Sequence, residues 1–569
     1  MANITELANF IWSVADLLRG DYKQSDYGKV VLPFTVLRRL DCVIEPTKKK
    51  VLDYLPKIKG MNIKNADPIL NKVSGLNFHN KSKFDFEKLV ADPDNIASNL
   101  RNYINGFSED ARSIMEYFDF DKEIGKLDDA NLLYMIVKRF SEVDLHPNKI
   151  SNIEMGYAFE ELIRKFSEIS NETAGEHFTP REVIRLMVNI LFLNDRDILT
   201  KKGVTKTLYD PACGTGGMLS VSEEHLRELN PDARLEVFGQ EINPESYAIC
   251  KSDMVIKGQN TANIKYGNTF THDGLEFSKF DYMLSNPPFG VDWKKYAKHV
   301  KDEHGNRGHA GRFGAGLPRI SDGSLLFLQH MISKMKPTGS RIAIVFNGSP
   351  FFTGNAGSGE TEIRRWIIEN DWLEAVIALP DQLFYNTGIN TYIWIISNKK
   401  SDERKGKVQL INATSNKFYS KMKKSLGSKR HEVDKVSEIT YLYGDYKNGK
   451  FCKIFNNDDL GYWQVTVERP LIKDGKPVID KKGNPKPDTS LRDTEIIPLT
   501  QDINEYIEKE VKPHVPDAWV DESKTKKGYE INFTKYFYEY KPLRSLEEIK
   551  KDILALEEET KDMIEEVVE

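Results

Sequence analysis

Apolar positions near the start of the chain recur every three or four residues. Leu7, Phe10, Ile11, Val14, Leu17 and Leu18 fall on one helix face, and "YGKVVLPFTVLRRLDCV" repeats the pattern. Between residues 60 and 150 the spacing stays helical with polar interruptions, as in "FDFEKLVADPDNIASNLRNYINGF". Residues 1–155 are therefore expected to form an α-helical domain, and a scaffold without chemistry is its plainer reading. From about residue 180 the pattern changes to short β-branched and aromatic runs separated by helical segments: "TLYDPACGTGG", "LEVFGQEINP", "FDYMLSNPPF", "SRIAIVFNGSP", "LEAVIALP" and "TYIWIIS". Such alternation predicts an α/β fold with a doubly wound, mainly parallel sheet over residues 156–475, binding its ligand at the strand C-termini.

Beyond that core the pattern weakens. Residues 476–543 open with polar, Lys- and Pro-rich sequence and are expected to be a connector or hairpin insertion. Residues 544–569 regain periodicity: Leu546, Ile549, Ile553, Leu556, Thr560, Met563 and Val567 alternate by three and four, the seam of a short coiled-coil-like helix. So short a helix is marginal alone and wants a partner, either its own protein or another subunit.

Composition narrows the function classes. A chain of 569 residues exceeds what one core usually organises. The start lacks a signal-peptide pattern and no run of 18 or more apolar residues occurs, so no membrane association and a cytoplasmic location are expected. The four cysteines, Cys42, Cys213, Cys250 and Cys452, lie far apart, without zinc-site or disulfide spacing; Cys213 is a candidate to line a site, and no metal is expected. A formal charge of −5 argues against wrapping a polyanion over the whole surface, so any nucleic-acid contact is local or shared with another subunit. The absence of a GxxxxGK[ST] loop argues against DNA translocation by this chain.

Three motifs carry candidate chemistry, each at the end of an expected strand. In "LYDPACGTGGML", Asp210 and Pro211 precede Gly214, Thr215 and Gly216, a turn whose glycines let backbone approach a nucleoside and whose helix start offers free N–H groups. Such a turn also serves dinucleotides or pure geometry. Glu241, at the end of the next strand, suits the two hydroxyls of a ribose. In "NPPF", Pro287 and Pro288 remove two N–H donors, leaving backbone carbonyl and Asn286 side-chain oxygens as paired acceptors for a small donor group. An exocyclic amine of a nucleobase is such a donor, and Phe289 would stack on the base.

"DPACGTGG" followed by "NPPF", with "AGEHFTPREVIRLMV" upstream, resembles the γ-type amino-methyltransferases that use S-adenosylmethionine (SAM). The longer segments "YGKVVLPFTVLRRLD", "DGSLLFLQHMI", "NGSPFFTGNAGSGETEIRRWIIENDWLEAVIALPDQLFYNTGINTYIWIISNKK" and "DDLGYWQVTVERPL" are similar to the HsdM-like modification (methyltransferase) subunit of type I DNA restriction-modification systems.

The resemblance implies a SAM-dependent methyltransferase core and methyl transfer to adenine N6 in duplex DNA after base flipping. It implies that Glu176, His177, Phe178, Thr179, Pro180 and Arg181 lie against SAM, together with Asp210, Pro211, Gly214, Thr215 and Gly216. Glu241 would hold the ribose, Asn268 and Thr269 would meet the cofactor's adenine, and Asn286, Pro287, Pro288 and Phe289 would carry catalysis. The implied partners are a specificity (DNA-recognition) subunit and an ATP-dependent restriction nuclease subunit, with two copies of this chain per complex. A self-sufficient DNA adenine methyltransferase and an idle scaffold subunit are the alternatives. Residues 291–323, rich in Gly, Lys, Arg and His, read as a long mobile loop that grips phosphate or closes over an extruded base, or as a plain solvated loop.

Overall fold

The N-terminal helices form because their apolar stripes find one another. Helix α1 (Ala2–Leu17) and the long α2 (Tyr27–Lys59) pack with α3 (Asn152–Ser170). Val14, Leu18, Val30, Phe34, Leu37, Phe140 and Phe166 share one core. The buried Arg39 of α2 donates to the Ile150 carbonyl and to Asn152 Oδ1, both at 2.7 Å. The computed structural model describes residues 2–59, 63–170, 179–385, 387–426, 429–538 and 545–568.

The α/β region follows in the expected rhythm. Helix α4 (Arg181–Leu193) leads to β1 (Thr205–Asp210), α5 (Gly217–Leu229), β2 (Arg234–Glu241), α6 (Pro244–Lys257), β3 (Ile264–Tyr266) and β4 (Tyr282–Ser285). Then come α7 (Ala297–Arg307), α8 (Ser324–Ser333), β5 (Arg341–Phe346), α9 (Gly359–Glu369), β6 (Leu373–Ala378), β7 (Tyr392–Ser397), β8 (Lys407–Asn412), α10 (Val436–Asp445) and β9 (Cys452–Asn456).

The nine strands make one sheet in the order β9-β8-β6-β7-β5-β4-β1-β2-β3. Pairing is parallel from β5 through β4, β1 and β2 to β3, while β7 runs antiparallel to both its neighbours. Both faces are covered. Leu208 of β1 joins Leu186 and Ile190 of α4 and Leu219 of α5 in one core. Tyr209 points the other way, where its hydroxyl meets Nε2 of the buried His330 of α8 at 3.0 Å. Double coverage explains why "RIAIVF" and "LEAVIA" are apolar almost throughout and fully buried. The strand order reverses at β1, which opens a crevice beyond its carboxyl end. The helical region docks directly on this core, since Ala248, Ile249 and Val255 of α6 complete its hydrophobic cluster.

Two expectations fail here. The stretch expected as a connector or hairpin insertion does open on a hairpin, in which Ile472–Lys473 pair with Lys476–Pro477, but it also contains β11 (Asp493–Pro498) and β12 (Trp519–Tyr529), which flank β10 (Gly461–Glu468) in an antiparallel three-stranded sheet. Val465, Val467, Ile497, Ile507, Val511 and Ala518 give it a core of its own. Its solvent face is so rich in Lys, Asp and Glu that the alternation is hard to read; the buried Glu468 offsets part of that charge by pairing with Arg492 and Lys524. Residues 291–323, expected as a long mobile loop or a plain solvated one, instead hold α7 and bury Trp293, Val300 and Phe313 in a cluster with Phe270 and Leu326. Six glycines and a high charge hid three well-spaced apolar side chains.

Residues 1–531 form one compact unit and residues 532–569 a second. In the second, α11 (Leu546–Val568) leaves Leu546, Ile553 and Leu556 85, 56 and 67% exposed. The side chains of Thr560, Met563 and Val567 lie outside the described set. Among the described residues no helix is long and apolar enough to cross a membrane.

Candidate active site

β1, β2, β3 and β4 end side by side, and each delivers a functional group to one open cleft. Thr179, Asp210, Pro211, Gly214, Thr215, Glu241, Asn268, Thr269, Asn286 and Pro288 line it. The glycine turn is shaped by left-handed backbone: φ is 53° at Gly214 and 86° at Gly216. At Gly216 a Cβ would sit 2.8 Å from the Cys250 sulfur, so only glycine fits. The turn is tied to β2 by the Cys213 N–H, which donates to the Gln240 carbonyl at 3.0 Å. Cys213 lines the cleft, and all four cysteines are free and buried.

Glu241 holds the turn from the other side. One carboxylate oxygen accepts the Gly214 N–H at 2.8 Å and the other the Asn243 N–H at 2.7 Å. Burial raises its pKa, against the pull of these backbone donors. Asp210 is enclosed more completely. Burial pushes its pKa up to about 7, helped by the Glu241 charge and opposed by bonds from the Ala212 N–H at 3.0 Å and the Ser285 hydroxyl at 2.9 Å.

Asn286 follows Ser285 at the end of β4. Its side-chain oxygen is buried and has no hydrogen-bond partner, in a position lining the cleft. A buried acceptor left unmet costs about 1–3 kcal/mol, so the site is built to receive a donor. Below it the strand is fixed: the Asp281 carboxylate accepts from the Thr207 N–H at 3.0 Å and from Lys336 at 2.7 Å, locking β4 to β1.

Not every expected residue reaches the cleft. Glu176, His177 and Phe178 lie outside the described residues. Pro180 caps α4 by position, and Arg181 lines a neighbouring cavity with Arg39, Asn152, Thr215 and Asp253, on the far side of the glycine turn. Gly216 and Pro287 act through backbone shape. Phe289 packs edge-on against Phe384, ring centres 6.2 Å apart, beside the cleft rather than in it. Asn268 spends its amide oxygen on the Phe270 and Thr271 N–H groups, and the Thr269 hydroxyl donates to the Pro211 carbonyl at 2.6 Å.

The structure adds residues that the motifs do not name. Ile184, Met218, Ile242 and Phe327 supply apolar wall. Ile242 is 48% exposed beside Glu241, and Phe327 leans on Phe270 with ring centres 4.6 Å apart. Ile242 is signalled only by its place after the acid; Phe327 sits in an apolar helix that reads as plain core. Arg312 is a further addition. It pairs bidentately with Glu303 and donates to the Thr269 and Phe270 carbonyls at 2.7 and 2.8 Å, so α7 and the loop after β3 move as one. Burial opposes ionisation of Glu303, but Arg312 holds its pKa below the usual value.

Comparison with known proteins finds relatives for both the helical and the α/β regions. The family model for the N-6 DNA methylases matches residues 151–466, and that for the HsdM N-terminal domain matches residues 7–140. The type I restriction enzyme MjaIX methylase subunit of Methanocaldococcus jannaschii is 27% identical over 491 residues, 83% of this chain and 82% of that one. The HindI methylase subunit of Haemophilus influenzae is 28% identical over 348 residues, 58% and 72% of the two chains. Among solved structures, the type I restriction-modification methyltransferase subunit of Streptococcus thermophilus shares the fold with a TM-score of 0.62 at 23% identity, covering 80% of this chain and 96% of that one.

Proposed function

The chain belongs to the N-6 DNA methylase family of SAM-dependent methyltransferases, as a methylase subunit of the type I restriction-modification kind, and from that premise we propose that its cleft moves a methyl group from SAM to adenine N6 of a base flipped out of duplex DNA. The single observation that carries this reading is the unpartnered, buried oxygen of Asn286, a residue that lines the same cleft as Asp210, the glycine turn and Glu241.

The residues present fit the cofactor. Glu241 presents a buried carboxylate to a ribose diol, while Ile242 and Phe327 offer apolar surface to the adenine ring. Asp210 and the glycine turn face the remainder, and a cationic ligand there favours the ionised form of Asp210. SAM supplies a methyl group on a sulfonium, so the departing thioether is neutral. On the protein side, the Asn286 oxygen and a backbone carbonyl of the proline pair would accept hydrogen bonds from the two N6–H groups, which would hold the amine and favour the pyramidal form whose lone pair attacks; one N6 proton would then leave to water as the new N–C bond replaces the broken S–C bond. Orientation and these preorganised acceptors provide the acceleration. Pro288 shapes the rim, and a modest turn of Phe289 away from Phe384 brings its ring against an extruded base.

The exposed apolar seam of α11 is assigned to docking on a specificity subunit that selects the DNA site, with two copies of this chain and, for restriction, an ATP-dependent nuclease subunit completing the assembly. Labelled methyl transfer to DNA, followed by nucleoside identification, tests the reading for the purified chain with and without its co-expressed neighbour. N6-methyladenine formed only with the neighbour is the expected result. Sequence-selective methylation by the chain alone contradicts the division of labour, and no methylated nucleoside in either case contradicts the reading.

A further inference from the structure

The segment that follows Phe289 is packed, yet it carries charges that its own packing does not use. Lys294 and Lys295 lie in a 3-10 turn, Lys294–Tyr296, that runs into α7. Lys294, Lys298 and Lys301 are spaced by four and three, so they share one helix face, with Lys295 beside it. All four are exposed. The opposite face is fixed: Val300 is fully buried, Tyr296 and Ala297 pack on the same cluster, and His304 Nδ1 meets the Phe313 carbonyl at 2.7 Å.

Nearby acids do not neutralise this face. The acids of residues 291–323 are Asp292, Asp302, Glu303 and Asp322, and Asp322 accepts the Ser324 N–H and hydroxyl at 3.0 and 2.7 Å. Asp292 accepts the Lys294 backbone N–H at 3.0 Å, and Glu303 is taken by Arg312. Asp302 is exposed and makes none of the ion pairs found here, while Arg307 turns to Glu276. None of the four lysines forms a salt bridge among the described residues. Positive charge in the opening turns of a helix opposes its dipole, so the lysines do not favour the helix that carries them. Their cost points outward, to an anionic partner.

We propose that Lys294, Lys295, Lys298 and Lys301 form a contact surface for the phosphate backbone of the duplex beside the nucleotide under modification. The proposal rests on the DNA-methylation reading and deepens it. Lys294 follows Phe289 by five positions, so their Cα atoms are at most about 18 Å apart, which keeps the start of the lysine face near the cleft. From Lys294 to Lys301 the chain advances roughly 11 Å, about three phosphate spacings of one strand. The surface is also rigidly registered to the site. Trp293 donates its ring N–H to the Arg319 carbonyl at 2.9 Å, and Arg312 ties the segment to the Thr269 and Phe270 carbonyls. Phosphates gripped there would hold the strand at a fixed offset from Asn286.

The test replaces all four lysines by glutamine in the chain co-purified with its neighbouring subunit, and measures affinity for target-site duplex across a salt series. Each lost phosphate contact lowers the salt slope by about 0.9, so with all four lysines removed the slope is expected to fall by about 3.6 and affinity near 0.15 M salt by more than tenfold. SAM affinity without DNA and the melting temperature stay unchanged. An unchanged slope and affinity, in a preparation whose wild-type form methylates the same duplex, overturns the proposal while leaving the methylation reading intact. Loss of co-purification with an unchanged slope also overturns it, and assigns the face to a protein partner. A wild-type complex that makes no N6-methyladenine overturns the underlying reading instead.

Discussion

Ser285, the residue before Asn286, donates its hydroxyl to Asp210 at 2.9 Å, so the strand that leads to the proposed catalytic amide is bonded directly to the acid before the glycine turn. That bond helps the buried Asp210 ionise, but burial outweighs it and the pKa stands near 7.

The sign of the pH effect follows. A cationic cofactor favours the carboxylate, so below about pH 7 binding must displace a proton. SAM affinity is expected to weaken up to tenfold per pH unit as pH falls below 7, and to level off above it. Asp210→Asn flattens the profile. Calorimetric titrations between pH 5.5 and 8.5 check this; a wild-type profile already flat across that range contradicts it.

The same raised pKa costs stability without ligand. Between about 4 and 7 the unfolded chain releases a proton that the folded chain keeps, so this contribution falls as pH rises, by on the order of 4 kcal/mol in full. At pH 8 Asp210→Asn is expected to melt higher than wild type, and at pH 4 the difference should vanish. Thermal melts at the two pH values decide.

Glu241 bonds both to the turn and, in the proposed complex, to the ribose. Glu241→Gln keeps the shape but removes the charge, and SAM affinity is expected to drop by roughly 10–100-fold, the worth of a charge-assisted hydrogen bond. A change below threefold by calorimetry would remove Glu241 from the cofactor's contacts.

Arg312 joins α7 to the loop after β3. Arg312→Ala leaves the partly buried Glu303 without its cation, with an expected loss of about 1–3 kcal/mol. Arg312→Ala with Glu303→Ala should recover part of that stability without recovering SAM affinity, because the Thr269 and Phe270 carbonyls still lack their donor. Denaturant melts and SAM titrations on both variants separate the two effects.

Removing residues 546–569 is expected to leave SAM binding unchanged while abolishing co-purification with the specificity subunit. Pull-down and calorimetry on the truncated chain check this; retained assembly would mean that the exposed Leu546, Ile553 and Leu556 serve another purpose.

Much of this was legible because strand ends are marked. Asp210, Glu241 and Asn286 each close an apolar run, and the sheet brings such ends together wherever the parallel order is kept. What the pattern hid was long-range. Ser285 is an ordinary strand residue until Asp210 is beside it, and Arg312 reads as loop charge until it is found against Glu303, 9 residues earlier, and Thr269, 43 residues earlier. Phe327 is indistinguishable by periodicity from its buried neighbours Leu326 and Leu328. The small sheet of β10, β11 and β12 escaped for a different reason: its one buried face is short, and Lys and Glu dominate the other.

The central claim is that the unpartnered Asn286 oxygen receives the amine that is methylated. The most direct measurement is single-turnover methyl transfer to target-site DNA by the Asn286→Ala chain, assembled with its partner, alongside its SAM dissociation constant. SAM affinity within about threefold of wild type and transfer slower by at least about 100-fold is the expected result. Transfer within tenfold of wild type, or equal loss of binding and transfer in a folded variant, would contradict the account.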